Sequence, residues 1–338
     1  MWLLWSLGTL LIVGVAQASK GDNSNEYTGC YHVCHFNNCT SRLGIAAYES
    51  SQSLSEKILQ WTCDDECQYY CMWRTTQIFL DRGMDIPQFF GKWPFARIWG
   101  MQEPAAVLFS VLNLMAHLIN LRRFRQSVPP NAPMYKIWHL HAGICINAWV
   151  WSVVFHARDT PWTERLDYFF AFSMVLFSLF GLVIRLLGPQ LKVYKEAAAV
   201  VGVLFFGYHV WYLTKGRFDY GYNMTVNVVV GVLNGSGWLA WAVPRLKSRP
   251  YIQWCVFTVV GAMASMLLEL GDFPPLFWAV DAHALWHLAT SPLPFMWYRE
   301  KTRVKLRGNG TVSYEEYYVS CASLTRLIKW LSVLDAAI

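Results

Sequence analysis

From about residue 100 the chain settles into a rhythm of apolar stretches near 20 residues long, separated by short polar or basic segments. A helix of that length crosses roughly 30 Å of hydrocarbon. The stretches are placed at 100–121, 135–156, 166–187, 194–214, 223–244, 251–270 and 275–298. An earlier apolar run, Trp2 to Val15, ends on Ala16-Gln17-Ala18, which fits the small-x-small rule for signal-peptide cleavage. Residues 1–18 are therefore read as a signal peptide. The basic n-region is missing, so an uncleaved signal-anchor is the alternative. Either form puts the segment that follows outside the cytosol.

The loops carry the orientation. Basic residues gather after the first span (Arg122, Arg123, Arg125), after the third (Lys192 and Lys195, with Arg185 near the helix end) and after the fifth (Arg245, Lys247, Arg249). They gather again after the seventh, as Arg299, Lys301, Arg303, Lys305 and Arg307. The alternate loops mix charges or lack bases, so the positive-inside rule places the basic side in the cytosol. The fold class that follows is an all-α membrane protein, a seven-transmembrane helix bundle with a small disulfide-stapled lumenal N-terminal segment. Its parts are a signal peptide (1–18), a lumenal cysteine-rich segment (19–99), the seven-span domain (100–298) and a cytosolic tail (299–338). Within the tail, Leu324 to Leu334 reads either as an amphipathic surface helix or as plain tail.

Composition sharpens this picture. Hydrophobic residues make up 55% of the chain and charged residues only 15%, below the roughly 25% usual in soluble domains. The 18 Trp, 17 Tyr and 20 Phe suit membrane interfaces. The net charge of +6 comes from loop bases and not from one continuous patch, which excludes nucleic acid as a partner.

Six of the nine cysteines lie between Cys30 and Cys71. Cys30 and Cys34 are spaced i,i+4, as are Cys63, Cys67 and Cys71, so each set shares one helix face. Two short helices stapled face to face are expected, with Cys39 joining the set. Six cysteines allow fifteen pairings and the spacing does not choose among them. A zinc site is the rival reading, but C-x2-C pairs are absent and the compartment is oxidising. Asn38-Cys39-Thr40 is a glycosylation sequon.

Ionisable groups inside spans are costly and mark function. The seventh span holds Asp281-Ala282-His283-Ala284-Leu285-Trp286-His287, with His283 and His287 one helical turn apart. Two histidines so spaced are often packed polar groups, but the second span adds Ser152 and His156 at its lumenal end, again i,i+4. Asp167 follows after a short turn, near the lumenal start of the third span. Three histidines with an open position are the pattern of a catalytic zinc. Such an ion lowers the pKa of water to about 7 and polarises a carbonyl. Asp167 is then the candidate acceptor or base, and Ser152 the candidate donor to an oxyanion. A helix-packing hydroxyl and a helix N-terminal charge are the plainer roles for these two. A serine hydrolase is disfavoured, because no G-x-S-x-G elbow occurs. His117, His139, His141 and His209 read as packed polar groups, Asp219 as a turn former, and Arg97, Gln102 and Glu103 as anchors for the first span.

These stretches resemble the post-GPI attachment to proteins factor 3 family, the Per-one-like branch of the CREST superfamily of membrane hydrolases. The resemblance rests on Trp61-Thr62-Cys63, Cys71-Met72-Trp73, Gly91-Lys92-Trp93-Pro94-Phe95, Gln102-Glu103-Pro104, Asn147-Ala148-Trp149, Phe155 to Thr160, Phe218 to Asn223 and Leu267 to His287. It covers about residues 27–298. The superfamily pattern is Ser-x3-His, a downstream Asp and His-x3-His, and Ser152, His156, Asp167, His283 and His287 occupy it. The resemblance implies a phospholipase A2-type hydrolase that removes the sn-2 acyl chain of GPI anchors on GPI-anchored proteins, and the histidine pattern read above gives it a Zn2+ ion on His156, His283 and His287. The family works in the Golgi or the endoplasmic reticulum. A ceramidase-like lipid amidase and a non-catalytic seven-span lipid receptor or chaperone are the alternatives. The tail beyond about residue 298 departs from the family's usual short end.

Overall fold

In the computed structural model, residues 19–188, 191–269 and 271–302 are described. The expected signal peptide and nearly all of the expected tail, with Leu324–Leu334, lie outside them. The described residues form helices and connecting turns. Their only β-pairing is three isolated bridges, Phe89 with Lys92, Ile98 with Met101 and Leu276 with Val280. Two compact units divide the chain. Among the described residues, one takes in those up to Val107, His156–Asp159 and the segment ending at Leu285; the other takes in the rest.

The first unit begins with α1 (Asn25–Asn38), α2 (Arg42–Ser51), α3 (Leu54–Ile58) and α4 (Cys63–Asp81). Serine or threonine starts each: Ser24, Ser41, Ser53 and Thr62 accept from a backbone N–H of the first turn, satisfying a donor with no partner in the helix. The expected staple is present and its pairing is resolved as Cys30–Cys71, Cys34–Cys67 and Cys39–Cys63. Rising numbers on α1 meet falling numbers on α4, so the two helices run antiparallel and the bonds form a ladder. Around it the unit packs few large side chains: Tyr27, Cys71 and Phe89 form its small buried cluster. Covalent links therefore carry much of its stability. Replacing Cys30 and Cys71 together by serine is expected to cost about 2–5 kcal/mol. The check is the thermal unfolding midpoint of the purified double variant beside the parent.

Trp61 ties the end of this region to the rest of the unit. It is buried, donates from Nε1 to the Gly100 carbonyl at 2.8 Å, and lies between two guanidinium groups. Arg97 sits 3.4 Å and Arg158 3.8 Å from its ring centroid. Each arginine is in turn held by a carboxylate of α4, Arg97 by Glu66 at 2.9 Å and Arg158 by Asp65 at 2.7 Å. Asp65 also closes the capping box with Thr62.

The second unit holds most of the long helices. These are α5 (Pro104–Ser127), α6 (Tyr135–Ala157), α7 (Pro161–Leu187), α8 (Lys192–Thr214), α9 (Tyr220–Ala242) and α10 (Gln253–Glu269). All six are long and apolar enough to cross a membrane, counting the short helical turns flanking α9 and α10. Thr160 caps α7 with Pro161 at its first position, and Asp219 caps α9, accepting from the Tyr222 N–H at 2.9 Å. The core is aromatic: Trp138, Trp238, Trp241 and Trp297 meet beside Phe124 and Tyr298. Arg185, 3% exposed, lies within 5.8 Å of the Trp138, Trp238 and Trp241 ring centroids, a setting in which ring faces stabilise a buried cation.

Two expectations change. The first span starts at Pro104 and not near residue 100, because Ile98–Met101 close a tight turn in which Trp99 and Gly100 take positive φ. The stretch at 275–298 is not one continuous helix. It contains a bridged turn, then α11 (Ala282–Thr290) and α12 (Leu293–Thr302). Pro292 and Pro294 lie at the break; proline offers no N–H and crowds the preceding turn, which ends a helix.

Candidate metal centre

Each candidate residue is positioned by a helix. His156 lies in the last turn of α6, and Ser152 stands one turn before it. His283 and His287 lie one turn apart on α11, a short helix started by Asp281, whose carboxylate accepts from the Ala284 N–H at 2.8 Å. His156 and His283 come from segments 127 residues apart, yet their Nε2 atoms are 3.3 Å apart. Together His156, His283 and His287 each offer a ring nitrogen, and the three atoms lie within 4.8 Å of one another. His156 and His287 are buried, at 2% and 3% exposure, while His283 is half-buried.

Two ring nitrogens at 3.3 Å share either a proton or a cation. With the third imidazole the group is one that could hold a metal ion. Ligands 2.0–2.1 Å from a tetrahedral zinc are separated from one another by roughly 3.3 Å, which matches the His156–His283 spacing. A donor set of three imidazoles also suits zinc chemically.

The surroundings orient these rings. The His156 Nδ1 is 2.6 Å from Glu103 Oε2. Glu103 Oε1 accepts from the Lys92 ammonium at 2.6 Å, and Lys92 also pairs with Asp159 at 2.8 Å. Burial works to strip Lys92 of its proton. The Glu103 and Asp159 carboxylates outweigh it and hold the ammonium charged, with its pKa above the usual lysine value. The backbone adds a clamp: Gln102 and Glu103 donate N–H groups to the carbonyls of Ala157 and His156, each at 3.0 Å, filling acceptors that the end of α6 leaves open. In the second unit, the His287 ring meets the edge of Trp149 at 5.2 Å, and its carbonyl accepts from the Asn113 amide at 2.7 Å.

The remaining expected residues fall as follows. Ser152 is 4% exposed and its Oγ is 3.0 Å from Ser110 Oγ. Asp167 lies in the second turn of α7, half-buried, and is not one of the three clustered groups. His117, His139, His141 and His209 pack against Tyr298, Tyr135, Phe177 and Phe172. Glu103, which reads from the sequence as a span anchor, also contacts His156. The available signal was depth: Glu103 opens the first span and His156 closes the second, so antiparallel neighbours bring them level.

A family model described as the Per1-like family matches residues 53–300. A protein of Xenopus tropicalis named "GPI-specific phospholipase A2-like PGAP3" is 46% identical over 290 residues, covering 86% of this chain and 91% of that protein. The Drosophila melanogaster protein named "Post-GPI attachment to proteins factor 3" is 45% identical over 293 residues, covering 85% and 89%. A Homo sapiens protein with the same name as the Xenopus one is 41% identical over 284 residues, covering 84% and 88%. No solved structure matches the chain. The chain belongs to the Per1-like family, and within it to the post-GPI attachment to proteins factor 3 group.

Proposed function

We propose that the protein is a GPI-remodelling hydrolase of phospholipase A2 type, which removes the sn-2 acyl chain of GPI anchors on proteins. The convergence of three imidazoles from two separate helices carries the reading. The names of the relatives support the substrate class. In the reaction, water adds to the ester carbonyl, the bond to the glycerol oxygen breaks, and that oxygen leaves with a proton. A zinc ion, when bound, supplies Lewis acidity that acidifies water and polarises the carbonyl. His156, His283 and His287 are the residues to hold it. Asp167 takes the proton from the attacking water, and Ser152 donates to the oxygen that gains charge. The apolar, lipid-suited faces of the long helices let a GPI lipid reach the site from within the bilayer. α8 illustrates such a face, with Val200, Val201, Val203 and Leu204 all exposed.

The topology belongs to the same proposal. Seven crossings, the last broken at Pro292, put the disulfide ladder in the lumen and the tail in the cytosol of a Golgi or endoplasmic reticulum membrane. Asn38 is exposed at the end of α1, which suits a glycan there.

The test uses the purified full chain. It is expected to carry about one zinc per chain and to release fatty acid and a lyso-lipid from GPI. Glycosidase treatment is expected to shift its mobility, and the Asn38→Gln variant should not shift. Release from ceramide instead of GPI would assign the chain to the amidases. Zinc-free protein that binds GPI without turnover would make it a receptor or chaperone.

A further inference from the structure

We propose that Glu103 is a positioning residue of the metal site, and that Lys92 positions Glu103. The proposal rests on the reading of the three imidazoles as metal ligands. An imidazole can ligate through one nitrogen only if its proton sits on the other, and the partner of that other nitrogen decides the matter. His156 places Nδ1 2.6 Å from a carboxylate oxygen and Nε2 3.3 Å from a second imidazole. An ionised carboxylate accepts and cannot donate, so the Glu103 oxygen facing Nδ1 favours the tautomer with the proton on that nitrogen. Lys92 holds that carboxylate in place: its ammonium lies 2.6 Å from the other oxygen of Glu103 and 2.8 Å from Asp159. With both oxygens of Glu103 engaged, Nδ1 of His156 is turned to the carboxylate and Nε2 to the centre.

Orientation is set along with protonation. Glu103 is 6% exposed and its own N–H is bonded to the His156 carbonyl at 3.0 Å, so backbone and side chain hold the same residue from two directions. The imidazole is thereby fixed at both its main chain and its ring. Such a carboxylate behind a ligating histidine raises the ligand's basicity and fixes its ring, and removing it costs 10–100-fold in metal affinity. Glu103 touches no substrate here; it acts through His156.

The experiment compares zinc affinity by chelator competition in the detergent-purified full chain, its Glu103→Gln variant and its Lys92→Met variant. Glutamine keeps the shape and the backbone clamp but offers no charge. Glu103→Gln is expected to bind zinc about 10–100-fold more weakly, and, with Asp159 still paired to Lys92, to remain folded without metal. Lys92→Met, which leaves the carboxylate but frees its second oxygen, is expected to weaken zinc binding by less than Glu103→Gln does. If Glu103→Gln does not accumulate as folded protein, Lys92→Met decides by the same criterion. Parental affinity in the folded variants overturns the proposal and leaves the metal reading standing. A parent that binds no zinc overturns both.

Discussion

Replacing His283 by alanine is expected to strip the protein of zinc and to lower GPI hydrolysis on the order of 10³-fold or more, about 4 kcal/mol of transition-state stabilisation. His283 is the informative choice among the three histidines. His156 and His287 are almost fully buried, so truncating either leaves a cavity in the packing as well as a missing ligand. His283 is half-buried, and its loss leaves the Glu103–His156 pair intact. The variant is therefore expected to fold, with the disulfide ladder formed, and to fail at the centre alone. Asp167→Asn supplies the contrast. It is expected to retain zinc while losing about 10²- to 10⁴-fold in turnover, the range for a removed general base. Metal content and acyl release, measured side by side, separate the two roles. A His283→Ala protein with full zinc and full turnover would dissolve the proposed centre.

Hydropathy and spacing made much of this molecule readable before its structure. Long apolar windows translate directly into spans, because a helix satisfies its own backbone and leaves composition to report depth. The i,i+4 spacing of His283 with His287, and of Cys63, Cys67 and Cys71, needs only helix geometry to put each set on one face. What stayed hidden depends on contacts between distant segments. The ladder Cys30–Cys71, Cys34–Cys67 and Cys39–Cys63 follows from the antiparallel direction of α1 against α4, which spacing within either helix does not state. Glu103 meets His156 across 53 residues, and Lys92 reaches it from a turn with no periodic pattern at all. The break at Pro292 was also obscured, because an apolar average over 275–298 is indifferent to where the chain loses a backbone donor. Trp61 between Arg97 and Arg158 belongs with these: three residues that look unrelated in sequence become one stack.

The buried serine pair offers the second large effect, and its symmetry makes the measurement clean. Ser152 and Ser110 face each other with their Oγ atoms 3.0 Å apart. Alanine at either position breaks the same hydrogen bond, and each costs a comparable 1–2 kcal/mol or so of stability. Stability alone therefore cannot tell a packing hydroxyl from one that serves the reaction. Turnover can. Ser152 stands one turn from His156 on α6, and a hydroxyl that donates to the developing oxyanion is expected to be worth about 10²- to 10³-fold in kcat. Ser152→Ala should thus lower kcat by that factor with KM nearly unchanged, since the interaction forms only as charge develops. Ser110→Ala should lose no more than severalfold, because its partner keeps a hydroxyl free to turn toward the substrate oxygen. A matched pair of kcat values for the two variants would assign both hydroxyls to helix packing. A loss confined to Ser152 would place the reacting carbonyl on the α6 face that carries His156.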